Sequence, residues 1–574
     1  MNRLTLTSSF LVTFAAAAAA TDFNQCRKHI EEKLAKDNTS IPESYLWHGH
    51  LQGYKTSGGP RPLILTTAGC EYYCGAPPQF NDVINAFQIL TTWVLPAVAL
   101  MSQFPYESLS YGWDRNAEAF GNWIGAPAAA LTTTFWNIIT IHQCATKHHQ
   151  FLNPDGREPI KNALYILSCI NQYEYPRRQG LEEQDRRRDT ALLRGVLYPY
   201  AISNDPLFTP GRYEQLNNLN EHLAFQLRLQ RRKGVYPVYI SILWFGMSFA
   251  FSIVISFAAL GDNSTAHSLA LGLMLSWVPV IVFASVVDRN PTSATRCGDL
   301  IERWLFNVDK LFDQQLQQPL QQPAPIPNHW RGRRAGDPQR IDADDVEDFH
   351  IGEFLGQGRR LRYCGVADTV LSRISNPKRA VLNLPDLVSD PADHDNFRRN
   401  LVTRPWGWVG TWLAAQGIVS IGFTMAFMVS FNTPTVGLGC RSLAYLVWWV
   451  CTLPSWVVLG IWQEPGLKVR QAMYLPNILA VAALFSIMIL QTLSGLNSCI
   501  CKSSIFGGGG YGGYMDFENG EFYRQHYNVS AYWGSATGVG GIVTGVVHLL
   551  AGLEVAQVVG LVEGDGGHEH AAAG

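Results

Sequence analysis

YPVYISILWFGMSFAFSIVISFAALGDNSTAHSLALGLMLSWVPVIVFASVV, residues 236–287, is two apolar runs parted by a short polar turn. Each run has about the 20 residues that a helix needs to cover a hydrocarbon core of about 30 Å. The turn carries an Asn-x-Thr site at Asn263, while Arg231, Arg232 and Lys233 precede the first run and Arg289 follows the second. Basic residues stay cytoplasmic and glycan acceptors face the lumen or the outside, so the two runs form a hairpin entered from the cytoplasm.

Working outward, the same alternation predicts an all-α membrane protein, a polytopic bundle of about nine transmembrane helices. Spans are expected near 83–103, 120–142, 159–175, 236–260, 265–287, 408–431, 441–462, 473–496 and 535–561. The composition agrees, with 47% hydrophobic and 16% charged residues in 574. A mean hydropathy of +0.00 averages apolar spans with long polar segments, and a net charge of −2 argues against nucleic acid as a partner.

The expected organisation runs as follows. Residues 1–20, basic at Arg3 and then apolar, read as a signal peptide with small residues at Ala18 and Ala20; an uncleaved anchor is the alternative. Residues 21–82 form a short, disulfide-stapled outer segment containing cysteines, and 83–175 hold the first three spans. Residues 176–235 are cytoplasmic and Arg-rich, 236–287 are the hairpin, and 288–407 are a partly disordered cytoplasmic segment with a Gln/Pro-rich linker at 314–327. Three spans follow in 408–496, then an outer Gly/Tyr-rich loop at 497–534, the last span at 535–561 and a cytoplasmic tail at 562–574.

The weakest span is 159–175, with Lys161 and Asn162 at one end and Asn171 near the other. It alone would read as an interfacial helix; counting it as a span keeps Arg177, Arg178 and Arg186 to Arg188 on the cytoplasmic side. All three acceptable sequons, Asn38, Asn263 and Asn528, then fall outside. Trp47, Trp406, Trp408, Trp462 and Trp533 lie near span ends as expected of interfacial anchors. Pro96, Pro127, Pro279 and Pro454 fall within spans, as ordinary membrane-helix prolines or as kinks.

A secretory route favours structural disulfides. Cys26, Cys70, Cys74, Cys499 and Cys501 are the candidates, with Cys440 and Cys144 as further ones, and spacing does not give their pairing. In 176–235 the charged residues read as a solvated topology signal, and NNLNEHLAFQLRLQRRKG at 217–234 as an amphipathic helix. GEFLGQGRRLRYCG, 352–365, offers Gly356, Gly358 and arginines suggestive of a phosphate cradle but lacks a clear strand and helix around them and a P-loop lysine. The spans read as almost free of ionisable residues, the exceptions being His548 and Glu554, six apart and on different faces of one helix, with Gly541 and Gly545 at close-packing spacing. No catalytic motif, cofactor fingerprint or zinc ligand set is present, and the terminal His568 and His570 are too few to hold a metal.

LTTAGCEYYCG (65–75), GDNSTAHSLALGLMLSWVPVIVFASVVDRNP (261–291), FLGQGRRLRYCG (354–365) and NSCICKSS (497–504) followed by GGYMDF (512–517) resemble segments of uncharacterised multi-pass membrane proteins of filamentous fungi. The resemblance implies polytopic architecture and carries no activity. The functional expectation is a non-enzymatic structural, sensing or adaptor protein of the secretory membranes, most plainly the plasma membrane, with lipid around it and cytoplasmic protein partners at 288–407. The alternative is a transporter or channel with a mostly uncharged pathway lined by Asn137, Gln416, Gln491 or His548. Oligomeric state cannot be read from the chain.

Overall fold

Helices that are apolar all round and helices apolar on one side sort into separate cores. The computed structural model describes residues 22–36, 41–51, 53–55, 62–80, 83–103, 120–147, 157–177, 180–200, 209–231, 235–258, 263–287, 291–313, 348–355, 363–374, 391–433, 437–462, 466–503, 513–518 and 520–541. The signal-peptide segment, Asn38, the Gln/Pro linker, Gly545, His548, Glu554, His568 and His570 lie outside the described residues.

In chain order, α1 (Phe23–Lys36), β1 (Ile64–Thr66) and α2 (Thr67–Cys74) come first. α3 is a continuous run of Val83–Ile89, a π-helical Leu90–Val94 and Leu95–Met101, followed by α4 (Pro127–Lys147), α5 (Arg157–Ile170), α6 (Glu182–Leu197) and α7 (Pro210–Leu229). The hairpin is α8 (Val235–Ala258) with α9 (Asn263–Met274) and α10 (Trp277–Val287), and then come α11 (Ala294–Asp313), α12 (Val366–Ile374) and α13 (Pro391–Val402). α14 (Trp406–Phe431), α15 (Cys440–Ile461), α16 (Leu467–Thr492), α17 (Cys499–Lys502), β2 (Tyr514–Asp516), α18 (Gly520–His526) and a helix at 529–541, α19, complete the described chain.

Among the described residues, five segments are long and apolar enough to cross a membrane: Pro237–Ala258, Ala266–Ser285, His394–Phe431, Cys440–Ile461 and Leu467–Thr492. Ala266–Ser285 is the central one, 83% buried, whereas α8 turns Tyr239, Ile240, Leu243, Phe251 and Val254 outward as a lipid-facing helix would. Large rings fill the bundle: Trp93, Trp123, Trp277, Trp448 and Trp533 are all at most 1% exposed. Three of the four span prolines mark helix irregularities. Pro96 follows the π-helical turn, Pro127 follows a break at Ala126, and Pro279 lies just past the non-helical residues 275–276; Pro454 sits inside α15.

The 159–175 segment departs from expectation. α5 has 14 residues, about 21 Å of helix against a hydrocarbon core of about 30 Å. Its apolar face, Ile160, Leu164, Leu167 and Ile170, packs into a second core with Leu192, Leu216, Leu223 and Trp304 from the polar helices α6, α7 and α11. Arg228 donates to Asn162 Oδ1 (2.8 Å) and the Ala367 amide to Asn171 Oδ1 (3.0 Å). One-sided hydrophobicity with partnered asparagines suits a soluble helix core better than lipid.

Direction of the preceding helices keeps α5 far from the cysteine-rich end. Gln79 is bonded to Asn497 beside the disulfides, and Trp93 lies against Phe245 and Phe249 in mid-bundle, so α3 runs inward from that end. The next turn also runs away from it. Asn477 donates to Asn122 (2.9 Å), and farther on Trp136 meets Tyr363 and Gly407 at the start of α14.

The described parts of 288–407 join this second core. α11, α12, α13 and residues 349–355 supply Ile301, Phe349, Phe354, Val370 and Phe397 to the second core. Likewise 217–229 is core-forming: Asn220 accepts from Trp304 Nε1 (2.8 Å) and donates to the Gly195 carbonyl (2.8 Å).

The opposite end is a small module with a third core of Phe23, Ile30, Leu65, Cys70, Cys499 and Met515. β1 and β2 pair antiparallel with Leu65 opposite Met515, joining stretches 450 residues apart in the sequence. Of the tryptophans expected at interfaces, Trp406 is 88% exposed and Trp462 is also exposed, but Trp408 and Trp533 are buried packing residues. Trp47 stacks on Tyr514 in the small module.

Candidate functional site: a charged cleft beneath the bundle

Apart from Cys451 within the bundle helix α15, the cysteines divide between the two ends. Cys26–Cys74, Cys70–Cys499 and Cys440–Cys501 are disulfides, so every expected candidate except Cys144 is paired. Cys144 lies in the second core with Cys297 and Cys364, and none of these three is in a disulfide. It lies apart from the disulfides, with which it was grouped as a candidate, because α4 continues past the apolar bundle into the polar helices. Asn528 is exposed near the disulfide module, its amide donating to the Gly53 carbonyl. Asn263 begins α9.

A cleft of about 440 Å³ opens where the second core meets the bundle, within the volume range of small-molecule sites. Local backbone pairing builds its walls. Gly352 donates to the Glu174 carbonyl, Glu174 to Glu353 and Leu355 to Gln172, which fixes the 172–177 segment against 352–355. The Gly365 amide donates to the Leu401 carbonyl and brings Tyr363 beside α13. Glu174, Arg177, Asp395, Arg398 and Arg399 give the lining its charge, and Leu355, Leu401 and Val402 its apolar side.

Behind this lining lies an ionic network that the sequence did not reveal. α6 places Asp185, Arg188 and Asp189 on one inward face at i, i+3 and i+4 spacing, and all three are essentially unexposed. Arg398 donates from Nη1 to Asp185 Oδ2 and from Nε to Asp189 Oδ2, both at 2.9 Å. His394 Nε2 is 2.8 Å from the same Asp189 oxygen. Arg188 donates to the His350 and Pro176 carbonyls (2.9 and 3.0 Å) and lies 4.1 Å over the Tyr175 ring.

Burial opposes the Arg188 charge, but the Asp189 and Asp185 carboxylates beside it act the other way, and its pKa is raised. The Tyr175 and Tyr363 phenols are both held well above their ordinary range, chiefly by burial, and so stay protonated. Arg398 Nη2 and the Tyr363 hydroxyl, like Arg188 Nε, are buried atoms without a hydrogen-bond partner among the described residues. A pocket of about 20 Å³, room for about one water, adjoins the cleft and contains Asn137 and Trp136.

Of the polar residues considered for a transport pathway, His548 lies outside the described residues and the other three have separate settings. Gln416 donates to Ser420 one turn along its own helix (2.8 Å), and Gln491 donates to the Tyr445 hydroxyl (2.5 Å) near the disulfide end. Asn137 is at the other end, beside Tyr363. Two buried ionisable residues were overlooked within the spans, His267 and Arg441; Arg441 donates to Ser430 Oγ (2.8 Å) and is 2% exposed. Gly356, Gly358, Arg359 and Arg360 lie outside the described residues, but the flanking Leu355 and Tyr363 border the cleft. Among the described residues, no group of three or more His, Cys, Asp or Glu is placed to hold a metal. No protein family, curated protein or solved structure matches this chain.

Proposed function

We propose that the chain is a sensor or adaptor of a secretory-route membrane, with the disulfide module outside and the polar helical domain in the cytoplasm. The observation that carries this reading is the contrast between a ring-filled bundle and an open, charged cleft in a separately cored domain. The cysteines support its orientation: disulfides belong to the oxidising side and unoxidised thiols to the reducing one, and here, apart from Cys451 within the bundle, the two kinds divide by end. Basic residues on the polar domain agree with that assignment. In this reading 288–407 meets cytoplasmic partners and lipid surrounds the bundle. The resemblance to fungal multi-pass proteins is compatible with the architecture and adds no activity.

Orientation is tested by a glycosidase shift on Asn38→Gln, Asn263→Gln and Asn528→Gln variants, and on sequons introduced at 200 or 340. Modification at the introduced sites would reverse it. Function is tested in proteoliposomes: the sensor reading expects no saturable flux of ions, sugars or amino acids. Saturable uptake would overturn it in favour of a transporter.

A further inference from the structure

Positive charge gathers where the cleft meets the bundle. Arg399 is exposed on α13, Arg404 is half-buried between α13 and α14, and Lys468 is exposed at the start of α16. None of the three has a carboxylate within ion-pair distance among the described residues. Contacts bring them to one edge. Arg404 donates to the Gly460 and Trp462 carbonyls at the end of α15 and lies 4.5 Å over the Trp408 ring. Trp408 in turn is 6.0 Å from Tyr363 on the cleft wall. Arg470, two residues past Lys468, reaches Glu174 on the same wall at 3.4 Å.

The acids lining the cleft do not cancel this charge. Glu174 is engaged by Arg470, and Arg177 by Glu182 at 3.6 Å, which leaves Asp395 to offset three cations. α14 and α16 also begin at this edge, so the positive ends of two helix dipoles add to it. A headgroup of net negative charge complements such an edge, whereas a zwitterionic one brings a cation of its own into it.

The same edge has a membrane side. Trp406, 88% exposed, and the exposed Trp462 mark the headgroup level. From Trp406 the outward face of α14 continues through Gly410, Leu413 and Gly417, at i, i+4, i+7 and i+11. A Cβ on either glycine would meet nothing within 4 Å, and Leu413 is exposed, so the lane is shallow, apolar and open.

We propose that this edge binds an anionic phospholipid of the inner leaflet. Arg399 and Lys468 flank its phosphate with Arg404 adding charge behind them, Trp406 packs at the ester level, and one acyl chain follows the Gly410–Gly417 lane. The site rests on the orientation proposed above, and it names the membrane component that the polar domain meets.

The test titrates the full chain in mild detergent with dioleoylphosphatidylglycerol and, separately, dioleoylphosphatidylcholine, which share their acyl chains, and counts retained lipid by native mass spectrometry. Expected is saturable retention of phosphatidylglycerol with at least a fivefold preference over phosphatidylcholine. Arg399→Gln and Lys468→Gln should each weaken it at least threefold, and Gly410→Leu, which fills the lane, at least twofold. Arg186→Gln, which removes an exposed cation of α6 outside the cleft lining, should leave it unchanged. All four positions are exposed, and equal amide exchange in 182–197 checks that the fold is kept. Equal retention of the two lipids, indifference to both rim substitutions, or an equal loss in Arg186→Gln, the mark of diffuse surface charge only, would overturn the site. Selective retention with glycosylation of sequons introduced at 200 or 340 would overturn the orientation and leave the lipid site standing. The expected glycosylation without selective retention would overturn the site alone.

Discussion

The two ends of the bundle solve the same problem by different chemistry. Both collect chain segments that are distant in sequence. The disulfide module has a small core, and it ties α1, α2, α15 and α17 together covalently. The polar domain has a much larger core and closes around buried charge instead, with Asp189 meeting Arg398 across 209 residues. Covalent links survive loss of neighbouring contacts, whereas a buried ion network fails when one charge is removed. The polar end is therefore the more fragile to conservative substitution, and the disulfide end the more sensitive to redox conditions.

The sharpest way to break that contrast is Asp189→Asn. It leaves Arg188, Arg398 and His394 facing a neutral amide in a site with no exposure. The expected cost is about 3–5 kcal/mol, the range for removing one partner of a buried pair. Amide exchange should rise through 182–197 and 391–402 while 64–74 stays protected. Unchanged exchange at 182–197 would mean that the network does not hold this end.

The matching change at the other end is Cys70→Ser. It opens a link between residues 429 apart, with an expected loss of about 2–5 kcal/mol. Thermal unfolding followed by exchange at 64–74 and 513–518 measures it, and reductant applied to the wild type should mimic it there but leave 182–197 protected. A reductant effect on the polar end would erase the distinction.

How much of this was legible in the chain depends on the distance over which each feature is decided. The hairpin at 236–287 is readable because its length and polarity are local properties. That Cys70 and Cys499 are disulfide candidates is readable from the chain, but not that they bond to each other while Cys26 takes Cys74, because pairing depends on tertiary proximity. The setting of α5 is hidden for a related reason: an apolar face does not say whether lipid or Leu216 and Trp304 will cover it. In EEQDRRRD the acid–base spacing was visible, yet burial of Asp185 and Asp189 depends on His394 and Arg398, some 200 residues away.

A third prediction asks whether the disulfide end is also sensitive to pH. Asp516 is buried on β2, accepting from the Glu518 amide (2.9 Å) and the Tyr527 hydroxyl (2.7 Å), with Glu518 and Tyr523 as the other titratable neighbours. Burial, the largest influence, raises its carboxyl from 3.8 to about 6. The folded state thus binds this proton more tightly than the unfolded chain. Its stabilising contribution is complete below about pH 4 and is lost as pH rises through about 6, a change of at most about 3 kcal/mol. Protection of 513–527 should increase between pH 7 and 5 in wild type and be flat in Asp516→Asn. A flat wild-type profile would remove this carboxyl from the account.

The smallest expected effect lies between the two ends, at Gly125. A Cβ there would run into the backbone of Asn477, whose side chain joins Asn122 (2.9 Å) and Ser455 (2.7 Å) in mid-bundle. Since the obstacle is main chain, the helical stretch leading into α4, or α16 itself, must shift, and Gly125→Ala should cost about 1–3 kcal/mol. The same two helices reach both ends, α16 leading to Cys499 and α4 carrying Cys144 into the polar core. A rigid bundle would therefore spread the loss, with exchange rising modestly at 64–74 and at 182–197 together. A rise confined to one end would show that the two modules are anchored independently, each by its own chemistry.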